Sequence, residues 1–161
     1  MSRPAIRSHV GDEDVAILAI NHECEAMLSP LTMERLRWLL AMAYRVRIAD
    51  DRSAMLIAFD ETAAYDSPNF LWFRQRYRRF VYIDRVAVTA SARGLGIARA
   101  LYDDLIEAAR ADGHTVVCAE VYARPPNPQS DAFHAKMGFR AVGSQYLADR
   151  DKTVTLLVRE L

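Results

Sequence analysis

The sequence predicts an α/β protein that folds as one domain. Runs with strand character and runs with helix character follow one another along 161 residues, a length that suits a single core. The clearest signal lies in the middle, where the apolar, β-branched run 80–88 precedes a turn with two glycines and an amphipathic helix. The order of all runs is strand, helix, helix, three strands, helix, strand, helix and two strands.

The N-terminal part indicates a short strand and two helices. Residues 4–9 fit the strand, and Asp12 or Asp14 can cap the first helix, because a carboxylate accepts hydrogen bonds from free backbone N–H groups. The second helix covers about residues 32–44, where apolar side chains recur at three- and four-residue spacing, and Thr32 is its expected cap.

A hairpin and an irregular stretch follow. The runs 45–50 and 54–60 flank a polar turn, so an antiparallel hairpin is the simplest interpretation. Residues 61–79 have no clear period, are rich in aromatic side chains and contain the turn-like Asp66-Ser67-Pro68-Asn69. We expect a functional loop there, since loops of that length are rare in compact domains.

The C-terminal half predicts a helix, a strand, a second helix and a closing hairpin. The helix after the glycine turn has apolar and charged faces and ends at Gly113. The strand covers residues 114–122. Asn127 can cap the next helix, which Gly138 closes, and residues 139–161 fit the hairpin.

Composition excludes several classes of function. Lysine plus arginine and aspartate plus glutamate number 21 each, so no overall field favours nucleic acid or an anionic membrane. Cys24 and Cys118 show no metal or redox spacing, and we expect no metal site. The N-terminus lacks a signal-peptide core, and no apolar run approaches about 18 residues. These features favour a cytoplasmic protein with reduced thiols.

The glycine turn is suited to hold an anion. Gly94 and Gly96 leave room for a ligand, and the helix that follows begins with N–H groups that have no partner inside it. A dinucleotide-binding loop needs a third glycine, and a P-loop needs a lysine followed by serine or threonine. This chain has Ala98 and Arg99 where those two motifs require further matching residues. The turn is therefore neither a dinucleotide-binding loop nor a P-loop.

Residues 93–98, Arg-Gly-Leu-Gly-Ile-Ala, instead resemble the R/Q-x-x-G-x-G/A signature of the GNAT superfamily of CoA-dependent N-acetyltransferases. In that family the loop holds the CoA pyrophosphate through backbone N–H groups, and the preceding strand binds the pantetheine arm. The resemblance implies that acetyl-CoA binds here, with its pantetheine on Val86, Ala87 and Val88 and its pyrophosphate on Arg93, Gly94, Leu95, Gly96, Ile97, Ala98 and Arg99.

A second pattern supports the resemblance. Asn127-x-x-Ser130-x-x-x-His134-x-x-x-Gly138-Phe139 resembles the second GNAT motif, in which an Asn-led helix packs beside CoA, and its Pro-Pro-Asn-Pro start looks like a bacterial subgroup without a settled substrate. The resemblance implies that Asn127 and Ser130 lie at the cofactor. It also implies a mixed, mostly antiparallel sheet of about seven strands with helices on both faces, and it allows a homodimer.

One position departs from the family. GNAT enzymes commonly carry a tyrosine seven residues after the asparagine, where it can protonate the departing CoA thiolate, and this chain has His134 there. Histidine can donate a proton at neutral pH. It can equally pack under the cofactor with its ring N–H bonded to a backbone carbonyl, and both interpretations stay open.

A base is needed as well, because a primary amine has a pKa of about 10 and attacks only when neutral. Glu120 lies in an apolar strand and matches a position used as base in some GNAT enzymes that acetylate protein N-termini. Asp84 interrupts the central strand, on the expected pleat side of Tyr82 and Val86. The alternatives are a solvated edge for Glu120 and, for Asp84, an ion pair with an arginine of a neighbouring strand.

These observations indicate an acetyl-CoA-dependent N-acetyltransferase that acts on a primary amine, with a small molecule favoured over a protein N-terminus or a lysine. Its expected partners are acetyl-CoA and the amine. The alternative is a non-catalytic module that binds acyl-CoA as a sensor or regulator, because the missing tyrosine can mark lost catalysis.

Overall fold

The computed structural model describes residues 2–161, and its centre is one mixed sheet of seven strands. The strands are β1 (Ile6–Ser8), β2 (Arg45–Ala49), β3 (Ala54–Asp60), β4 (Phe80–Val88), β5 (Val116–Arg124), β6 (Arg140–Leu147) and β7 (Lys152–Glu160). They lie in the order β1-β2-β3-β4-β5-β7-β6, and all neighbours are antiparallel except β4 and β5. The predicted α/β class and the mixed, mostly antiparallel sheet are confirmed.

Within the same residues, five α-helices cover both faces of the sheet. They are α1 (Asp14–Glu23), α2 (Met33–Met42), α3 (Pro68–Arg74), α4 (Ile97–Ala111) and α5 (Pro128–Lys136). Alternate residues of β3 mark the two faces, because Ile57 joins the core of Ile17 and Phe70, whereas Leu56 joins that of Leu101. None of these helices is both long enough and apolar enough to cross a membrane.

Local sequence signals set the starts of α2 and α5 and the ends of α4 and α5 as expected. The predicted cap of the first helix was wrong, because the N-cap of α1 is Glu13, without a side-chain cap hydrogen bond, and neither Asp12 nor Asp14 has that role. The side-chain oxygens of Thr32 and Asn127 each accept a hydrogen bond from the backbone N–H three residues later, at 3.1 and 3.2 Å. Gly113 and Gly138 follow α4 and α5 with φ angles of 81° and 85°. Glycine adopts this left-handed backbone without a steric penalty, so both helices end there.

The irregular stretch 61–79 is not a loop throughout, because it contains α3. Ser67 caps this helix, and its Oγ accepts a hydrogen bond from Phe70 N at 3.4 Å. Pro68 occupies the first turn, where its missing N–H costs nothing. Phe70 and Phe73 are buried, so the aromatic residues of this stretch belong to the core. The predicted order of elements was wrong by this one helix.

A β-bulge interrupts β4 in the middle of its pairing with β3. Ile57 pairs with Arg85 and the next residue, Ala58, pairs with Ile83, so Asp84 is an extra residue on β4. An extra residue shifts the alternation of side chains that follow it.

The bulge places two consecutive polar side chains on one face. Asp84 and Arg85 both contact residues on the side of α1 to α3, whereas Val86 packs on the side of α4. The prediction that Asp84 shares a pleat side with Tyr82 is confirmed. The prediction that it also shares this side with Val86 is wrong, because the bulge lies between them.

A tight contact between α3 and β6 generates a stability prediction. A Cβ atom on Gly143 would lie 2.5 Å from Cζ2 of Trp72, well inside van der Waals distance. We expect Gly143→Ala to displace the indole or the strand and to lower the free energy of unfolding by about 1–3 kcal/mol. Urea titration followed by tryptophan fluorescence measures the change.

Gly11→Ala is the matched control, because no atom lies within 4 Å of the Cβ that it would add. It should change the free energy of unfolding much less. Equal losses in the two variants would mean that the contact of Trp72 with Gly143 is not tight.

Candidate functional site

The parallel strands β4 and β5 stay together at one end only. Their paired positions run from Phe80 opposite Val116 to Tyr82 opposite Cys118. Beyond these positions β4 remains paired with β3, and β5 with β7, so the two strands part from each other. A cavity of about 280 Å³ lies where they part.

The cavity brings together several of the predicted site residues. These are Asp84, Val86, Glu120, Asn127, Ser130 and His134. Four tyrosines that the sequence did not indicate as functional also line it, namely Tyr65, Tyr82, Tyr102 and Tyr122. Tyr102 belongs to the apolar face of α4 by its spacing, and nothing in that pattern distinguishes a hydroxyl in a cavity from an ordinary core tyrosine.

Glu120 is a carboxylate with one unpartnered oxygen. Its Oε1 accepts a hydrogen bond from the Tyr82 hydroxyl at 2.8 Å, whereas Oε2 is buried and has no hydrogen-bond partner among residues 2–161. Burial raises the pKa of Glu120 to about 8, and the nearby charge of Asp84 acts in the same direction. The alternative of a solvated edge is wrong, because the Glu120 carboxyl is buried although β5 has parted from β4 at this position.

Asp84 makes two contacts that both lower its pKa, against the effect of burial. Its Oδ1 accepts a hydrogen bond from the Tyr65 hydroxyl at 2.6 Å, and its Oδ2 lies 3.4 Å from Arg85 Nε. Burial raises the pKa of Asp84, and the Arg85 charge opposes that shift. Asp84 thus has an arginine as its ionic partner, but this arginine is the next residue of its own strand and not one of a neighbouring strand.

Arg85 is fixed at this wall of the cavity by three hydrogen bonds. It donates to Asn21 Oδ1 at 2.8 Å, to the Ser29 carbonyl at 2.8 Å and to Ser29 Oγ at 2.7 Å. Buried guanidinium groups are tolerated only when their donors find such partners. The segment after α1 is thus tied to the strand that carries Asp84.

His134 has both ring nitrogens engaged by the protein. Nδ1 lies 2.8 Å from the Ser130 carbonyl, and Nε2 lies 2.8 Å from the Tyr102 hydroxyl. A carbonyl only accepts, so Nδ1 carries the hydrogen, and Nε2 of the neutral ring accepts from Tyr102. Burial lowers the pKa of His134, which keeps the ring neutral at pH 7. The transferable proton of this pair therefore resides on the Tyr102 hydroxyl.

The glycine turn has the open geometry that an anion needs. Gly94 and Gly96 have φ angles of 83° and 75°, and Gly96 immediately precedes α4. No side chain of the described residues caps this helix start, so its first N–H groups are free. No atom lies within 4 Å of the Cβ position at Gly94. The residues present fit a phosphate group.

Side chains around the turn differ in what they can offer. Ile97 is buried in the core, so only its backbone can face a ligand. Arg93 donates from Nε to the Val88 carbonyl at 3.3 Å, and the exposed Arg99 has its Nε 3.7 Å from Asp103. Both guanidinium groups thus lie at the surface beside the turn.

The edge of β4 that faces the gap is open to an extended ligand. Beyond Tyr82, no strand within residues 2–161 pairs with β4 on its β5 side. Main-chain groups of Val86 and Ala87 can therefore bond to a ligand backbone as a neighbouring strand would, whereas the Val88 carbonyl already accepts a hydrogen bond from Arg93. This edge connects the cavity with the glycine turn, as a pantetheine arm requires.

Solved structures of acetyltransferases share the whole fold. A ribosomal-protein-alanine N-acetyltransferase from Brucella melitensis is 25% identical, with a TM-score of 0.73 over 98% of this chain and 99% of that one. Salmonella typhimurium yncA, solved with its cofactor acetyl-CoA, is 21% identical, with a TM-score of 0.72 over 99% and 95%. A chain of the NatC complex bound to Gag peptide and CoA is 15% identical, with a TM-score of 0.76 over 100% and 99%.

The sequence profile of the acetyltransferase (GNAT) family matches residues 31–139. The chain therefore belongs to the GNAT family, and it is an acetyltransferase. A comparison with curated proteins gives no significant match. The catalytic interpretation is favoured over that of an acyl-CoA sensor.

The buried carboxyl of Glu120 generates a prediction on stability and pH. The folded pKa of about 8 lies above the ordinary value of 4.5, so the stability that the neutral carboxyl confers is complete below pH 4.5 and is lost as the pH rises through 8. Glutamine stays neutral throughout. We expect Glu120→Gln to gain about 2 kcal/mol over the wild type between about pH 6 and 9, a rise of roughly 4–8 °C in relative Tm.

Thermal unfolding at several pH values measures this difference. Glu107→Gln, which changes an exposed carboxylate of α4, is the control and should show no such trend. A difference in Tm between Glu120→Gln and wild type that does not vary with pH would show that the Glu120 carboxyl keeps an ordinary pKa.

Proposed function

We propose that this protein transfers an acetyl group from acetyl-CoA to a primary amine, and that the amine is a small molecule. The observation that carries the proposal is Glu120, a carboxylate with a pKa raised to about 8 and an unpartnered oxygen, in a cavity between parting strands. Such a group is suited to accept a proton from an amine near neutral pH.

Binding of acetyl-CoA is proposed along the open edge of β4 and the glycine turn. Backbone groups of residues 86–88 would hold the pantetheine, and the free N–H groups around Gly94 and Gly96 would hold the pyrophosphate. Arg93 and Arg99 lie beside the glycine turn and would add positive charge next to the pyrophosphate. The acetyl end would then lie in the cavity, and yncA, a neighbour in fold, is described with acetyl-CoA.

The cavity suits a small cationic acceptor. Asp84, and Glu120 once it is ionised, supply negative charge at low solvent exposure, where it attracts a cation more strongly than at the surface. Met27, Leu28 and Leu147 add apolar walls. A volume of about 280 Å³ is at the lower end for small-molecule sites and leaves space for little more than an amine beside the acetyl end.

Proton transfer is proposed to involve two groups. Glu120, once ionised, accepts the first amine proton through a water molecule and passes it to solvent. The neutral amine then attacks the thioester carbonyl, and Glu120 accepts the second proton, which the nitrogen loses as the C–N bond forms and the C–S bond breaks. The departing thiolate takes a proton from the Tyr102 hydroxyl, which burial keeps protonated by raising the pKa of Tyr102. His134 fixes that hydroxyl through Nε2. The resulting tyrosinate regains its proton from the protonated Glu120 through water. Asp84 stays the second candidate for the base.

A protein N-terminus is the second candidate acceptor. It is favoured by the similarity to a ribosomal-protein-alanine N-acetyltransferase and to a NatC chain described with a peptide. Because both acceptors present a primary amine, the proposed proton transfers are the same for both. The two differ in what must fit around the amine.

A screen for release of the CoA thiol tests the proposal. Small amines, amino acids and short peptides are offered with acetyl-CoA at about pH 8.5, where Glu120 is ionised. We expect turnover with a small amine, and at least about a tenfold loss of CoA affinity in Gly96→Asp, since its carboxylate would repel the pyrophosphate. Calorimetry measures the affinity.

Gly96→Asn is the matched control, because asparagine has the shape of aspartate without its charge and both tolerate a positive φ. It should bind CoA far better than Gly96→Asp. Turnover with peptides alone would replace the small amine by the N-terminus, and CoA binding without any turnover would contradict the catalytic proposal.

Substitutions of Tyr102 and His134, which are hydrogen-bonded to each other, test the proposal that the Tyr102 hydroxyl is the acid. We expect Tyr102→Phe to lower kcat by about 10² to 10⁴ at saturating acetyl-CoA, with CoA affinity nearly unchanged, because a positioned acid contributes a factor of that size. Tyr146→Phe, which removes an exposed hydroxyl, is the control. If Tyr102→Phe keeps its kcat and His134→Ala loses it, the imidazole itself is the acid, as the sequence first suggested.

A further inference from the structure

A second cluster of titratable side chains lies at the opposite, paired end of β4 and β5. Asp60 is the last residue of β3, Glu61 begins the turn that follows, and His114 stands between α4 and β5. The pairing of Phe80 with Val116 lies close by, because Phe80 N donates to Glu61 Oε2 at 3.3 Å. The acetyl-transfer cavity includes none of these three residues.

The three side chains converge on one point. His114 Nε2 lies 3.4 Å from Glu61 Oε2 and 3.9 Å from Asp60 Oδ2. One ligand atom from each residue can be chosen so that all lie within 4.8 Å of one another. The side chains of Asp60 and Glu61 are 21% exposed, which leaves a path to solvent.

His114 gives this cluster its significance. Its side chain is only 3% exposed, and neither ring nitrogen has a hydrogen-bond partner among residues 2–161. Burying an imidazole without partners is unfavourable, and native structures seldom leave such groups unsatisfied. Nε2 is directed at two carboxylates, neither of which can donate a hydrogen to it when ionised.

Neighbouring groups hold the carboxylates and the ring in position. Thr62 donates to Asp60 Oδ1 from its backbone N at 3.0 Å and from its hydroxyl at 2.6 Å, which leaves Oδ2 for another partner. Arg79 Nε lies 3.4 Å from Glu61 Oε1. The ring of Tyr44 meets that of His114 edge-on at 5.0 Å. Outer contacts of this kind orient the ligands of metal sites.

We propose that Asp60, Glu61 and His114 bind a divalent transition-metal ion, with Zn²⁺ as the best fit. An imidazole nitrogen with two carboxylate oxygens suits Zn²⁺, whereas Mg²⁺ and Ca²⁺ prefer oxygen alone. Zinc bonds of about 2.0–2.2 Å place tetrahedral ligand atoms roughly 3.3–3.6 Å apart. The His114–Glu61 distance already has this value, and the His114–Asp60 distance needs a small closure.

The ion would serve the fold rather than the acetyl transfer. It would link the end of β3 to the start of β5 across β4, at the end of the sheet where the parallel strands are still paired. Water would complete the coordination, because only three protein ligands are present in the described cluster. This site was not expected from the sequence, in which His114 lies far from the two acidic residues.

Titration of the metal-stripped full chain with Zn²⁺ tests the proposal. Calorimetry should show one ion bound per chain, thermal unfolding should shift upward with Zn²⁺, and Co²⁺ should give the visible absorption of a tetrahedral site. Glu61→Gln should weaken the affinity at least about tenfold, since it removes one charged ligand. His114→Phe, which keeps the edge-on contact with Tyr44, should abolish binding.

His22→Gln is the matched control, because His22 Nδ1 also lies 3.3 Å from a carboxylate, that of Glu25, but its side chain is 85% exposed. It should bind Zn²⁺ like the wild type. The proposal is overturned if the wild type takes up no Zn²⁺ or Co²⁺, or if Glu61→Gln and His114→Phe bind as well as the wild type. Equal loss in His22→Gln would overturn it too. Glu61→Gln decides the matter alone if His114→Phe does not fold.

Discussion

The parting of two parallel strands is the constraint on which the rest of the structure depends. β4 takes its long antiparallel partner from β3 and β5 takes its own from β7, so each strand belongs to a half-sheet that is complete without the other. Among residues 2–161, the strand pairs that join the halves run only from residues 80–82 to residues 116–118. Because sheets twist, two halves joined at one end diverge at the other, and the backbone of both strands becomes available to ligands.

The polar side chains buried in the gap between the two strands lower the stability of the fold. Glu120, Asp84 and Arg85 are ionisable groups taken largely out of water, and each carries at least one atom without a hydrogen-bond partner in residues 2–161. Groups of this kind are seldom retained for stability, since well-packed apolar residues are often as good or better. The apolar cores on both faces of the sheet, which include the fully buried residues 54–59 of β3, offset the loss.

Much of the fold could be predicted because its signals are local. Caps such as Thr32 and Asn127, the left-handed glycines after α4 and α5 and the period of α4 act within a few residues. The bulge at Asp84 could not be predicted, because it depends on register with β3. Tyr102 and His114 were missed for a related reason, since their partners come from distant parts of the chain. Ser67 and Pro68 are typical of the start of a helix such as α3, but the same two residues are equally typical of a turn.

The bulge also determines how the site responds to the insertion or deletion of one residue in β4. All residues of β4 except Asp84 lie on the face that regular alternation would give them if Asp84 were absent. Tyr82 and Arg85 lie on one side, and Ile83 and Val86 lie on the other. Deleting that single residue would leave an ordinary strand with its neighbours undisturbed. The second carboxylate of the cavity is therefore a separable insertion, which related chains can gain or lose in one step without rebuilding the sheet.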